Sequence, residues 1–373
     1  MRVGVVLEQA LAPVPGGTGR YSREVAAALS AAAPDGWGVE GWTAWHRDPS
    51  PARIPGVAGP RRLPLGRRAL AAAWERGLGP DVAADVVFAP TLLVPPARRA
   101  PLVVTVHDAV PWTHPETLTP RGVAFHRRMA ARVARQATAV AVPTAAVAAE
   151  LATVLPLRVP PVVVGEGVAA SLAPPPDAAA RRRRLGAPVD GYLLSLATLE
   201  PRKGLDVALA ALARPEAPPL PLVLVGRPGW GGVDPQAEAA RLGLPPGRVR
   251  VLGALSDPDV AAVLAGATAL VAPSRAEGFG LPVLEAMSLG VPVVSSDVPA
   301  LAEVGGTATC RVPVGDPVAL AAALARVCAE PAWRAQLAAA GRRQAGRYSW
   351  ARTAELLWHV LAGAHRAAHR TAP

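Results

Sequence analysis

Two doubly wound α/β domains in series are the fold class predicted by this 373-residue chain, and three observations predict it. Short Val-rich runs recur along the chain, Ala-rich stretches of helical length separate them, and the series restarts after a Pro- and Arg-rich break near the middle. Short apolar runs bounded by turn residues mark strands buried on both faces, and parallel strands of that kind need helical crossovers. The chain is also longer than one core usually grows, which makes two domains the default.

Taken in order, the first strand is expected at 2–7. It meets Glu8 at once, with no basic segment followed by a long apolar one, so it reads as a buried strand and not as a leader. Gly16-Gly17-Thr18-Gly19-Arg20 follows after a short loop and precedes a helix over 21–31. Glycines let backbone approach a ligand and a helix N-terminus offers N–H groups to an anion, although a tight structural turn explains the glycines equally well. Arg61, Arg62, Arg67 and Arg68 precede an amphipathic helix over 69–74. Basic amphipathic segments attract anionic membrane surfaces, and a solvated Arg-rich face is the plain alternative.

Further strands are expected at 86–89, 102–106, 139–142 and 162–164. The break lies near 166–176, and the run Arg181-Arg182-Arg183-Arg184 beyond it reads as a solvated helix face. A second series of strands follows at 192–196, 222–225, 249–252, 269–271 and 293–295, and an amphipathic helix over 350–368 ends the chain. The domains are therefore drawn at 1–170 and 171–350, with 351–373 as a helix crossing back onto the first. The longest uncharged apolar stretch, 260–273, falls short of the ~20 residues that a spanning helix needs.

A composition of 51% apolar and 18% charged residues suits a soluble, well-buried protein. The formal charge of +11 raises nucleic acid, membrane surfaces and anionic substrates as partners. Aromatic residues are only 4% and do not alternate with basic ones, which argues against a nucleic-acid surface. Cys310 and Cys328 suit a reducing cytoplasm and suggest neither a disulfide framework nor a metal cluster.

Lys203 is the only lysine among 39 basic residues, and it stands in Thr-Leu-Glu-Pro-Arg-Lys-Gly at 198–204, just after an expected strand. Asn is absent and Ile occurs once, as expected of a coding sequence that drives Lys to Arg wherever either serves. An ammonium is a compact point charge and a guanidinium a planar fork, so a pocket built around one phosphate oxygen distinguishes them. The most specific segment runs from Ser274 to Met287. It sets Glu277 and Glu285 with seven residues between them, Gly278 and Gly280 in a loop, and Pro282 at the first turn of a helix that ends by Gly290 and Pro292. Glu277 then precedes a helix N-terminus, and Glu285 lies inside that helix.

These segments, with Val106-His107-Asp108 and the amino-terminal Gly-Gly-x-Gly-Arg, resemble a retaining GT-B glycosyltransferase of family four, a mannosyltransferase-rich group, over nearly the whole chain. The resemblance implies two Rossmann-like domains facing each other across a cleft, the first on the acceptor side and the second holding a nucleotide-sugar donor. It implies that Arg202 or Lys203, or both, hold the donor diphosphate, Lys203 occupying the place of the motif lysine. Many relatives carry a Gly-Arg pair at the start of this motif. Here that place reads Leu196-Ala197-Thr198, which leaves Arg202 as the substitute. Glu277 would contact sugar hydroxyls, with Gly278, Phe279 and Gly280 lending the loop and its N–H groups beside sugar and phosphate. Glu285 would accept from the ribose hydroxyls, Gly17 would approach the diphosphate, and His107 would lie near the anomeric centre. Glu200 would position its loop or contact the base, and residues 250–253 lie where relatives pass the base beside the backbone. Gly165-Glu166-Gly167-Val168 stands where relatives often have Asn-Gly-Val, which makes Glu166 a cleft candidate.

The chemistry agrees with this reading, because breaking a sugar–phosphate bond builds charge on the departing diphosphate and calls for cations and N–H donors aimed there. No Asp-x-Asp pair suited to a nucleotide-bound divalent ion is found, so no metal and no cofactor are expected. A front-face route, in which the leaving phosphate takes the acceptor proton, and a covalent intermediate both remain open. The resemblance makes GDP-mannose the leading donor and a UDP-hexose the alternative. The acceptor is a glycan, a lipid-linked group or a small molecule, the enzyme being cytoplasmic, with peripheral contact at the inner membrane face left open. Competing readings are a GT-B epimerase or phosphorylase, and a non-catalytic protein binding nucleotide sugars or polyanions.

Overall fold

The computed structural model describes residues 1–96 and 98–370. Two units divide the chain: Met1–Thr113, Pro120–Gly167 and the chain from Ser349 on form the first, and His114–Thr119 with Val168–Tyr348 the second.

The first unit holds seven strands: β1 (Arg2–Val6), β2 (Gly38–Trp45), β3 (Ala58–Gly66), β4 (Val86–Ala89), β5 (Leu102–Thr105), β6 (Ala139–Val142) and β7 (Val162–Val163). Every pairing is parallel, in the order β3-β2-β1-β4-β5-β6-β7. Val3, Val5 and Val6 of β1 are buried beside Val86, Val87 and Phe88 of β4, as a sheet covered on both faces requires. β2 and β3 lie outside the expected strands. β3 carries Pro60 and Pro64 within Ala-Gly-Pro-Arg-Arg-Leu-Pro-Leu-Gly, a composition that reads as loop and is tolerated because β3 is an edge strand.

Two helix boundaries also differ from expectation. The glycine segment is not a loop ahead of a helix but the first turn of the helix Gly16–Ala31, and Arg67 and Arg68 open the helix Arg67–Glu75 while Arg61 and Arg62 lie on β3. The helix Trp350–Arg370 packs on Gly16–Ala31, where Trp358 Nε1 donates to Leu29 O at 3.0 Å.

The second unit holds β8 (Leu193–Leu196), β9 (Leu222–Val225), β10 (Val249–Gly253), β11 (Ala269–Ala272), β12 (Val293–Ser296) and β13 (Cys310–Val312). They are parallel in the order β10-β9-β8-β11-β12-β13. β13 was not expected, being three residues long and interrupted by Arg311. In each sheet the order reverses direction at one place, between β1 and β4 and between β8 and β11. Open α/β sheets offer ligand crevices at such switch points, beyond the carboxyl ends of the strands. Among the described residues no helix is long and apolar enough to cross a membrane.

Candidate functional site

In the second unit the switch point is formed by the segments that leave β8 and β11. The first runs from Ala197 into the single turn Pro201–Lys203, which Gly204 terminates at φ +63°. A Cβ on Gly204 would fall 2.0 Å from Pro273 O, so only glycine lets this turn lie against the segment leaving β11. Arg275 joins the two: its N–H donates to Arg202 O at 2.8 Å, and its guanidinium to Pro201 O at 2.9 Å and to both Asp206 oxygens.

That junction brings Arg202, Lys203 and Glu277 together. Lys203 Nζ lies 2.6 Å from Glu277 Oε1 and Arg202 donates to Oε2 at 2.9 Å, while Ser274 Oγ donates to Oε1 at 2.7 Å. The other side of the Arg202 guanidinium donates to Glu200 Oε1 at 2.6 Å, and its shared nitrogen also reaches Ala276 O at 2.9 Å. The side chains of Lys203, Arg202 and Glu277 are 15%, 16% and 11% exposed, so the cluster is close to solvent yet weakly screened. Burial pushes the Glu277 carboxyl up, but the charges of Lys203 and Arg202 and the hydrogen bonds from Lys203 and Ser274 outweigh it and bring the pKa to about 2. The two cations are thus paired with two carboxylates, Glu277 and Glu200.

Gly280, at φ +92°, starts the helix Leu281–Ser288 with Pro282 in its first turn and no side-chain cap. Glu285 is buried inside that helix and is not among the partners of Glu277. The Phe279 ring is buried edge-on against Tyr348 at 5.5 Å, so only its backbone faces the loop. A small recess is lined by Ala197, Lys203, Ser274, Glu277, Gly280 and Pro282. A wider groove lined by Leu220, Thr268, Pro292, Cys328 and Arg334 lies by the amino-terminal ends of the strands, away from all these side chains.

In the first unit His107 follows β5. Its Nε2 is 2.8 Å from Pro90 O, and its Nδ1 is 3.5 Å from Glu166 Oε1. Burial lowers the imidazole pKa, but the hydrogen bond and charge of Glu166 more than offset it, so the net shift is upward. A carbonyl on one ring nitrogen and a carboxylate on the other favour the doubly protonated ring. Tyr21 lies edge-on to His107 at 4.6 Å, and its hydroxyl is 3.0 Å from Thr105 Oγ1. Gly17 is exposed in the uncapped first turn of Gly16–Ala31. The sequence marked Glu166 only by its place where relatives often have Asn-Gly-Val; no sequence signal tied it to His107, nor Ser274 and Glu200 to the Arg202–Lys203–Glu277 cluster.

Among the described residues no three His, Cys, Asp or Glu side chains gather as metal ligands. Of the Asp257-Pro258-Asp259 pair, Asp259 is bound by Arg181, Arg184 and Ser256, and Asp257 by Ser171.

Residues 15–172 match the family described as Glycosyltransferase Family 4, and residues 190–330 match Glycosyl transferases group 1. The two matched segments carry domains of these glycosyltransferase families. The chain is 40% identical over 163 residues to O-antigen chain mannosyltransferase B of Escherichia coli, a match covering 43% of this chain and 42% of the relative. It is 35% identical over 223 residues to D-inositol 3-phosphate glycosyltransferase of Thermobispora bispora, covering 57% of this chain and 52% of the relative. The chain thus spans about half the length, or less, of the curated relatives it matches. The structure of Anabaena Alr3699/HepE in complex with UDP and glucose superposes with a TM-score of 0.74 at 21% identity, covering 97% of this chain and 100% of that one. With its two doubly wound parallel sheets, the chain has the GT-B fold.

Proposed function

We propose that the chain transfers a hexosyl group, mannosyl first, from a nucleotide sugar to an acceptor hydroxyl with retention and without a metal ion. The observation that carries the proposal is the Glu277 carboxylate bridging Arg202 and Lys203 at the switch point of the second sheet. A diphosphate arriving there takes over the two cations, and Glu277, released from them, turns to the hydroxyls of the sugar. Glu285 receives the ribose hydroxyls, while the backbone of Gly278, Phe279 and Gly280 lines the sugar and phosphate. In the first unit Gly17 and His107 keep the roles that the resemblance gives them, with Glu166 holding His107 protonated.

In the reaction the bond from the anomeric carbon to the diphosphate oxygen breaks and its electron pair stays on that oxygen. Arg202 and Lys203 stabilise the charge that develops there. The acceptor oxygen bonds to the anomeric carbon on the same face, and its proton passes to the departing phosphate. This route uses no enzyme nucleophile. A mannosyl donor is supported by the relative named as a mannosyltransferase, and GDP-mannose is the first choice. A UDP-hexose is the second reading, favoured by the structural neighbour bound to UDP and glucose.

The test is a thermal-shift comparison of GDP-mannose, GDP, UDP-glucose and UDP, with and without EDTA, on wild type and Lys203→Ala. A ligand at about 100 times its Kd adds roughly 2.7 kcal/mol to the folded state. One nucleotide class is expected to raise Tm, to do so in EDTA, and to lose the effect in Lys203→Ala. No shift with any of the four, or shifts indifferent to Lys203, would overturn the proposal.

A further inference from the structure

One rim of the first unit carries chemistry that the reading above leaves unused. Trp45, the last residue of β2, is 55% exposed, and no other aromatic side chain is among the exposed large hydrophobic residues described. Its register partner on β3 is Gly66, which has no side chain to set beside the indole and where a Cβ would meet nothing within 4 Å. Arg62 pairs in register with Thr43, two residues before Trp45, and the pairing of β2 with β3 is irregular between there and Trp45. Its guanidinium donates to His46 O at 3.2 Å, one residue beyond the indole.

His46, the residue after Trp45, and Arg67, the residue after Gly66, meet on one carboxylate. His46 Nε2 lies 3.0 and 3.1 Å from the two oxygens of Glu8, and Arg67 lies 3.8 Å from Glu8 Oε1. Glu8 is fully buried and is also fixed by the Ala44 N–H at 2.8 Å. Its carboxylate therefore orients a partly exposed imidazole and guanidinium from behind. Arg61 does not take part: it pairs with Glu40 at 2.5 Å and lies over the Trp42 ring. The result is an exposed indole at the carboxyl ends of β2 and β3, with Arg62 held by the carbonyl of the next residue and His46 and Arg67 held by Glu8.

We propose that this rim is an acceptor subsite for an anionic carbohydrate, a sugar phosphate or uronic acid, whose ring stacks on Trp45 and whose charge is held by Arg62 and Arg67. The apolar C–H face of a pyranose, with its partial positive charge, suits the negative face of an indole. A guanidinium fork suits phosphate or carboxylate. Cations held by His46 O and Glu8 are oriented for one group, unlike a loose basic helix face lying on lipid. The inference rests on the donor site being in the second unit, since it assigns this rim to the other substrate.

The test is saturation-transfer NMR on the full chain with glucose 6-phosphate and glucuronic acid at millimolar concentration, against glucose and inorganic phosphate. Ring protons of the two acidic sugars should receive saturation, binding about ten-fold weaker in Trp45→Ala and restored in Trp45→Phe. Arg62→Ala with Arg67→Ala should abolish the preference over neutral glucose. No transfer from either acidic sugar, or transfer undiminished in Trp45→Ala, overturns the proposal. So does retention by phosphatidylglycerol vesicles that depends on Trp45 while the acidic sugars fail to bind, which would assign the rim to a membrane. Nucleotide-sugar thermal shifts on the same samples should not respond to Trp45→Ala and report separately on the donor reading.

Discussion

Replacing Glu277 by Gln keeps the shape of the cluster and removes one charge, so stability and anion binding should move in opposite directions. In the folded chain the carboxyl pKa falls from an ordinary 4.5 to about 2. At roughly 1.4 kcal/mol per pH unit, this amounts to about 3 kcal/mol of folding stability. A depressed carboxylate contributes fully above its unfolded pKa and loses its contribution as pH falls through the folded one. The wild type should therefore lose this increment as pH falls from about 4.5 to about 2, and Glu277→Gln should lack it already at pH 7. Breaking a buried pair from one side costs about 3–5 kcal/mol, and Glu200 still answers Arg202, so the lower end applies. The same change leaves two cations facing one carboxylate, and a nucleoside diphosphate should bind about ten-fold more tightly. Turnover of the nucleotide sugar should fall about a hundred-fold as the sugar contact is lost. Urea denaturation at neutral and acid pH gives the stability, and calorimetric titration of GDP and UDP gives the affinity. A stability loss below about 1 kcal/mol, or a diphosphate affinity that falls together with stability, would refute the reasoning.

Gly204→Ala forces a side chain into a φ of +63° and a Cβ to within 2.0 Å of Pro273 O. It should cost more than the ~1–3 kcal/mol of backbone strain alone and weaken donor binding through Lys203, as denaturation and titration would measure. Glu166→Gln removes the largest of the influences that raise the His107 pKa and leaves only the Pro90 carbonyl and Asp108 to oppose burial. Stability linked to the raised pKa is present at low pH and lost as pH rises through the folded value. The variant should therefore lose stability mainly below the ordinary imidazole range, with the NMR titration of His107 moved to lower pH. Trp358→Ala removes a buried indole and its hydrogen bond to Leu29, and should destabilise the first unit by about 3–5 kcal/mol in thermal denaturation.

What the sequence disclosed follows the range of each interaction. The Val-rich strands were legible because strands buried on both faces must be apolar throughout, as Val86–Ala89 and Leu222–Val225 are. β2 was hidden by Gly38, Gly41 and the polar Glu40 and Thr43, and β3 by prolines that only an edge strand accepts. The loop-to-helix step at Gly280 and Pro282 was legible because its turn chemistry is local. The glycine-rich helix start was misread because glycine signals a loop wherever propensity alone is weighed, and Pro15 already holds helical angles there. Within the site, Lys203 and Glu277 were visible as residue types in place. Their ion pair spans 74 residues, and that of Arg202 with Glu277 spans 75, so neither has any local signature. Trp45 could not be told from a core tryptophan until β3 placed Gly66 beside it.

The central claim is that Arg202 and Lys203 form a metal-free diphosphate site in the second unit. Calorimetric titration of GDP-mannose and of UDP-glucose in EDTA, into wild type and Lys203→Ala, tests it most directly. The account predicts that one donor binds wild type at one site per chain and binds Lys203→Ala at least about ten-fold more weakly, a charge-assisted contact being lost. Equal affinity for the two proteins, or binding that appears only when a divalent ion is supplied, would contradict it.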